Sequence, residues 1–156
     1  MKTLIIYDSF FGNTEVIAKA IGKNFKAEET LSIRISDFNP EYLKGISTII
    51  IGSPTRGFRP TELITKLIND YGQKLTGLNF AVFDTRIEIN TIKSGIARFI
   101  VKNGGYAANT MARKISKLGA NLLVPAEGFL VTGEQGPLKE GEIERAENWG
   151  KEICNL

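Results

Sequence analysis

Hydrophobic and polar positions change period repeatedly along the chain. Thr3 to Tyr7 is a short apolar run rich in isoleucine, the pattern of a strand buried on both faces. From Thr14 to Phe25 the apolar residues Val16, Ile17, Ala20, Ile21 and Phe25 recur at helical spacing. Leu31 to Ser36 alternates with a period of two and predicts a second, more exposed strand. Ser47 to Gly52 reads as another buried strand, and Thr61 to Tyr71 as a helix turning Leu63, Ile64, Leu67 and Ile68 inward. Leu78 to Asp84 is a fourth strand. Asn109 to Leu118 follows as a helix with Met111, Ala112, Ile115 and Leu118 on one side, stopped by Gly119. Asn121 to Val131 contains a fifth strand, in which Pro125 implies an interruption or an edge position. A last helix over Glu142 to Ile153 is expected to bury Ile143, Ala146, Trp149 and Ile153.

Five strands alternating with helices predict an α/β fold: a parallel sheet covered on both faces through right-handed crossovers. Ligands of such sheets sit outside the carboxyl ends of the strands, which directs attention to loops 8–14, 53–60 and 84–109. With 156 residues and no linker or repeat, the expectation is a single domain over 1–156. The apolar runs are far shorter than the ~20 residues of a membrane helix, and the chain starts directly on a strand without a secretory leader. Membrane association is therefore not expected, and a cytoplasmic location is. The net charge of +3 comes from scattered basic residues, which argues against nucleic acid as the main partner. With no histidine and one cysteine, Cys154, imidazole chemistry, disulfides and cysteine-held metals are excluded. Cys154 reads as a peripheral thiol.

Between the first strand and the first helix stand Asp8, Ser9, Phe10, Phe11, Gly12, Asn13 and Thr14. A helix N-terminus presents unpaired N–H groups and roughly half a positive charge. Ser9, Asn13 and Thr14 add short polar side chains, and Gly12 lets the backbone come close. No lysine or arginine lies between Lys2 and Lys19, so a phosphate here would be held by amides and hydroxyls. The loop matches neither GxxxxGK[ST] nor GxGxxG. The alternative is that Asn13 or Thr14 merely caps the helix.

The run Ser9-Phe10-Phe11-Gly12-Asn13-Thr14-Glu15 resembles the flavodoxin phosphate loop, [ST]-x-[ST]-G-x-T, and Gly52-Ser53-Pro54-Thr55-Arg56-Gly57 resembles the loop after that family's third strand. Strand spacing agrees over essentially the whole chain. The resemblance implies a flavodoxin-like three-layer sandwich with a five-stranded parallel sheet in order 2-1-3-4-5, binding flavin mononucleotide (FMN). Ser9 to Thr14 would hold the phosphate. Phe11 departs from the pattern, since it lacks the hydroxyl usual at that position. One lost neutral hydrogen bond is worth about 1 kcal/mol, too little to abolish binding. Hydrophobic residues at this position also occur in flavodoxin-like proteins of the quinone-reductase type.

By the same resemblance, Pro54, Thr55, Arg56, Gly57 and Phe58 would line the isoalloxazine ring. Gly57 would carry the peptide that flips to accept the N5 hydrogen of the half-reduced ring. Phe58 either stacks on the ring or packs on the helix at 61–71. Thr85 and Arg86 stand where the family contacts the pyrimidine edge, and Asp84 either joins them or pairs with Arg86. The stretch from Ile87 to Ala108 is longer than usual. Ile96, Ala97, Phe99, Ile100 and Val101, closed by Gly104-Gly105, predict an extra helix, which either covers the ring site, as a lid or contact surface, or packs at the sheet edge. Tyr106 is a further stacking candidate. Arg56, Arg59 and Arg86, opposed by Asp84 and Glu88, imply a flavin potential above that of acidic flavodoxins.

The resemblance leaves three readings. The leading one is an FMN-dependent electron carrier between redox partner proteins, in which no side chain is catalytic. The others are an NAD(P)H-dependent FMN reductase of quinone-reductase type and a cofactor-free interaction domain. The oligomeric state is open.

Overall fold

The computed structural model describes residues 2–88, 93–102 and 105–156. Strands β1 (Thr3–Tyr7), β2 (Thr30–Arg34), β3 (Thr48–Pro54), β4 (Asn79–Ile87), β5 (Asn121–Leu122) and β6 (Glu127–Val131) form one sheet. The helices are α1 (Asn13–Gly22), α2 (Glu62–Tyr71), α3 (Gly95–Lys102), α4 (Ala107–Lys117) and α5 (Glu142–Cys154). The sheet runs β2-β1-β3-β4-β5, and β6 also pairs with β4. Every strand pair is parallel. The expected fifth strand is thus two short strands on the same edge of β4, and the break between them holds Pro125, which has no amide to give the ladder.

Successive residues of the central strands point to opposite faces, and each face has its own core. Leu4, Ile6, Ile49, Ile51, Phe80 and Val82 pack with Ile64, Leu67 and Ile68 of α2 and Met111 and Ile115 of α4. Ile5, Tyr7, Ile50, Ala81 and Phe83 pack with Ile17 and Ile21 of α1 and Ala146, Trp149 and Ile153 of α5. Burial of one such aliphatic side chain contributes about 1.5–3 kcal/mol, so a central strand buried on both faces holds two helical layers at once.

Several expected boundaries and faces differ. β2 ends at Arg34, because Ile35–Asp37 turn into a 3-10 segment. β3 and β4 run further than expected, to Pro54 and Ile87. Thr85 and Arg86 are therefore strand residues rather than loop residues. Val16, Leu63 and Ile143 are exposed; helices seated on a sheet bury only a narrow stripe, and these residues lie at its margin. On α5 that stripe begins with the carboxylate of Glu142, which accepts from Leu130 N at 2.6 Å and Arg145 Nη2 at 2.7 Å. Trp149 is buried and Cys154 exposed. The extra helix in the long stretch exists as α3. Gly104 and the side chains of Ala97, Ile100 and Val101 lie outside the described residues. No helix among the described residues is long and apolar enough to cross a membrane.

Phe83, Phe129 and Trp149 meet edge to face, with ring centroids 6.1–6.2 Å apart. The Phe83 ring lies flat against Gly52, where an added Cβ would stand 2.2 Å from Cζ. Gly52→Ala is expected to push Phe83 out of this cluster and lower stability by about 1–3 kcal/mol. Urea unfolding followed by the fluorescence of Trp149 measures the loss.

Candidate functional site

The carboxyl ends of β1, β3, β4 and β6 surround a cleft of about 340 Å3. Ser9, Phe10, Phe11, Asn13 and Thr14 line it from the first loop, and Pro54, Thr55, Arg56, Gly57 and Phe58 from the second. Thr85, Arg86 and Tyr106 line it from the third region. Of the residues expected from sequence, Gly12 and Asp84 do not reach the wall. Gly12 is the N-cap of α1 in the left-handed region, φ 87°, and shapes the loop from behind. Asp84 is wholly buried.

Two helices begin at this cleft, and their N-termini differ. At α4 the first amides are taken: Ala107 N donates to Thr55 Oγ1 at 3.0 Å, and Ala108 N donates to the Asp84 carboxylate at 2.8 Å. At α1, Ser9 Oγ accepts from Gly12 N at 3.1 Å and Glu15 N at 3.4 Å. Among the described residues nothing accepts from the amides of Phe10, Phe11, Asn13 and Thr14. The open turn thus combines unpaired N–H groups with the positive end of the α1 dipole. The side chains of the loop are partly occupied. Thr14 Oγ1 and Thr85 Oγ1 share a hydrogen bond of 2.8 Å, and Asn13 Nδ2 donates to Gln135 O at 3.0 Å. Arg34, whose Cα is the register partner of Tyr7 on β1, donates its guanidinium to the Ser9 carbonyl.

The second loop is a tight hairpin. Arg56 and Arg59 exchange both backbone hydrogen bonds, at 2.9 and 3.0 Å, around Gly57 (φ 50°) and Phe58 (φ 65°). Positive φ at both central residues is the pattern of a type I′ turn. Glycine takes it freely, whereas a phenylalanine there is strained by roughly 1–2 kcal/mol. The Arg56 guanidinium sits 5.3 Å from the Phe10 ring centroid, 5.8 Å from that of Phe11, and 3.5 Å from Glu134 Oε1. It links the first, second and 131–136 segments across the mouth. Both phenyl rings stay largely outside the core, at 59% and 47% exposure.

On β4 the open question about Asp84 resolves in favour of pairing. Arg86 grips the carboxylate with Nε at 2.5 Å and Nη2 at 2.7 Å, and its guanidinium lies 3.9 Å from the centroid of Tyr106. Burial pushes the Asp84 carboxyl up from the usual carboxylate range, while Arg86 and the Ala108 amide pull it back. The Tyr106 hydroxyl donates to Ile87 O at 3.0 Å, and burial raises its phenol further above neutrality. Arg86 and Arg56 are therefore both paired. Of the three arginines that the sequence sets against Asp84 and Glu88, Arg86 is balanced by Asp84 itself and Arg56 by Glu134, while Arg59 is exposed.

Ile87, Val131 and Glu134 also line the cleft and were not foreseen. The register pairs Ile87 with Val131, so both follow from the strand-end rule once β4 is extended and β6 is counted among the strands with an open carboxyl end. Nothing in the sequence pattern pointed to Glu134. None of the described residues of α3 lines the cleft.

No protein-family model matches the chain. Among solved structures, a flavodoxin from the domain Archaea is 21% identical, with a TM-score of 0.78 over 99% of this chain and 97% of that one. Flavodoxin 2 from Bacillus cereus is 21% identical, with a TM-score of 0.69 over 99% of both chains. The rubredoxin oxygen:oxidoreductase of Desulfovibrio gigas is 14% identical with a TM-score of 0.74, and the match takes in 99% of this chain but 35% of that longer one. At these identities the likeness is one of architecture, and together with the strand order it shows that this chain has the flavodoxin-like fold.

Proposed function

We propose that this protein binds FMN in the cleft at the carboxyl ends of β1, β3, β4 and β6 and carries electrons between protein partners. The observation that carries the reading is the contrast between the two helix N-termini: α4 is closed by Asp84 and Thr55, whereas among the described residues nothing accepts from the amides of Phe10 and Phe11 in the loop before α1 or of Asn13 and Thr14 in its first turn. The residues present fit the group. A phosphate ester would take the amides of Phe10, Phe11, Asn13 and Thr14. The Ser9 hydroxyl, which already accepts twice, keeps its own proton to donate. Phe58 and Tyr106 offer aromatic surface for a flat ring, and Arg86 and Thr85 offer polar groups at its edge. Bound there, FMN would supply the redox chemistry, and the protein would set its position and electrostatics. The flavodoxins and the oxidoreductase that share this architecture support the same class of function.

One observation favours the reductase as a second reading. A larger hollow of about 1110 Å3 adjoins the cleft and shares Phe10, Arg56 and Phe58 with it, which leaves room for a nicotinamide nucleotide. Stopped-flow mixing of the FMN-loaded protein with NADPH separates the two. The carrier reading expects no fast bleaching of flavin absorbance, and rapid direct bleaching favours the reductase.

Titration calorimetry with FMN and riboflavin tests the phosphate grip. Hydrogen bonds to a charged group contribute about 1.5–3 kcal/mol each, so FMN is expected to bind at least roughly a hundredfold more tightly. Equal affinities, or no heat with FMN, overturn the assignment.

The electrostatic role assigned to Asp84 has its own readout. In Asp84→Asn the Arg86 charge is left uncompensated, and the flavin potential is expected to rise by tens of millivolts, with about 1.4 kcal/mol corresponding to ~59 mV for one electron. The double variant Asp84→Asn/Arg86→Met should bring it back. A redox titration in which all three proteins share one potential rejects this role.

A further inference from the structure

The basic residues are scattered along the chain, but the acidic ones are missing from one stretch. Between Glu88 and Glu127 the chain has six lysines and arginines and no aspartate or glutamate, which leaves the remainder with more acid than base. This segment includes α3 and α4. On α3 and its approach, Lys93, Arg98 and Lys102 are exposed, and so are Ile96 and Phe99, at 77% and 69%. A short helix that combines cationic heads with exposed apolar and aromatic surface has the composition found at protein interfaces, where arginine and aromatic residues are enriched. Its position relates it to the cleft. The segment leaves the cleft wall at Ile87 and returns at Tyr106, which are joined by the hydrogen bond between the Tyr106 hydroxyl and Ile87 O. Lys102, the last residue of α3, stands four positions before Tyr106 in the chain, so at most about 14 Å of extended chain separates the end of the helix from the cleft wall.

We propose that α3 is the docking surface for an acidic electron-transfer protein, an assignment that rests on the FMN carrier reading above. Charge complementarity selects the occupant: a carboxylate-rich patch meets Lys93, Arg98 and Lys102, and an apolar spot at its centre covers Ile96 and Phe99. A nucleic-acid backbone would satisfy the cations and leave the isoleucine and phenylalanine uncovered. A bilayer would have to accept a helix of only eight residues. Association steered by opposite charges is fast at low ionic strength and weakens with salt.

The test uses the full FMN-loaded chain and the double variant Arg98→Glu/Lys102→Glu, neither residue of which lines the cleft. FMN affinity is measured first and should be the same for both. Each protein is then mixed in a stopped-flow instrument with a reduced, acidic plant-type ferredoxin as electron donor, and flavin reduction is followed. The proposal expects the parent's rate to fall steeply with added salt. The variant should be about tenfold or more slower at low salt and should converge with the parent at high salt. Equal rates at low salt overturn the proposal. So does α3-dependent binding of anionic phosphatidylserine vesicles or of single-stranded DNA with no dependence of the ferredoxin rate on α3. If neither protein binds FMN, the carrier reading fails on its own. The surface is then read by NMR with oxidised ferredoxin, where salt-sensitive shifts confined to 93–102 support it and their absence overturns it.

Discussion

The left-handed backbone of Gly12 is the constraint on which the site depends. At φ 87° it turns the short loop that follows β1 directly into α1. The first amides of the helix therefore open onto the sheet's carboxyl edge. A residue with a Cβ meets a penalty in this region, although space is not the obstacle, since nothing lies within 4 Å of where a Cβ would be. The demand is conformational. Once it is met, the rest of the loop follows: Ser9 reaches forward to hold two amides, and Arg34 fixes the Ser9 carbonyl from the neighbouring strand. Among the described residues nothing accepts from the remaining N–H groups, those of Phe10, Phe11, Asn13 and Thr14.

A second constraint sits across the cleft, where a buried carboxylate could have opposed any phosphate. Asp84 is at 0% exposure, yet its charge is met by the two-pronged grip of Arg86 and by the first turn of α4. A buried carboxylate without such partners is strongly destabilising. The pair also neutralises charge where a ring would lie, so Arg86 can present an edge to the cleft without imposing a full positive field. Gly128 on β6 makes room for this arrangement, because a Cβ there would stand 2.1 Å from the Arg86 guanidinium carbon.

Much of the architecture was legible because both periodicities were strong. The isoleucine-rich runs of β1 and β3 and the stripes of α1, α2 and α4 identify themselves, and the Pro125 break between β5 and β6 follows from the missing amide. What was not legible depended on which of several possible partners a side chain takes. For Asp84 the nearby Arg86 was a visible candidate, but the α4 amide of Ala108 that completes the pairing comes from a helix 24 residues on. Likewise, Arg56 is met by Glu134 from a segment that carries no motif. Exposure of Val16, Leu63 and Ile143 was missed because a hydrophobic stripe read from sequence is wider than the strip a flat sheet covers. Ile87 lies inside the third loop region but matches no residue of the family motifs, and Val131 ends a strand whose carboxyl end was not among the loops singled out.

The hairpin at Gly57-Phe58 holds a conformational tension of its own. A type I′ turn places both central residues at positive φ, and Phe58 is poorly suited to it. Inverting the peptide between them converts the turn to type II′, which asks for positive φ only at the first position, where Gly57 already stands. The sequence thus matches the inverted form better than the form observed, and the strain at Phe58, roughly 1–2 kcal/mol, favours inversion. What opposes it is the attachment of Arg56 to Phe10, Phe11 and Glu134 on one side of the turn. In the FMN site proposed above, such a turn would let the hydrogen bonds facing the ring change with its charge, and Arg56, which also lines the cleft, is the contact that such a change must release.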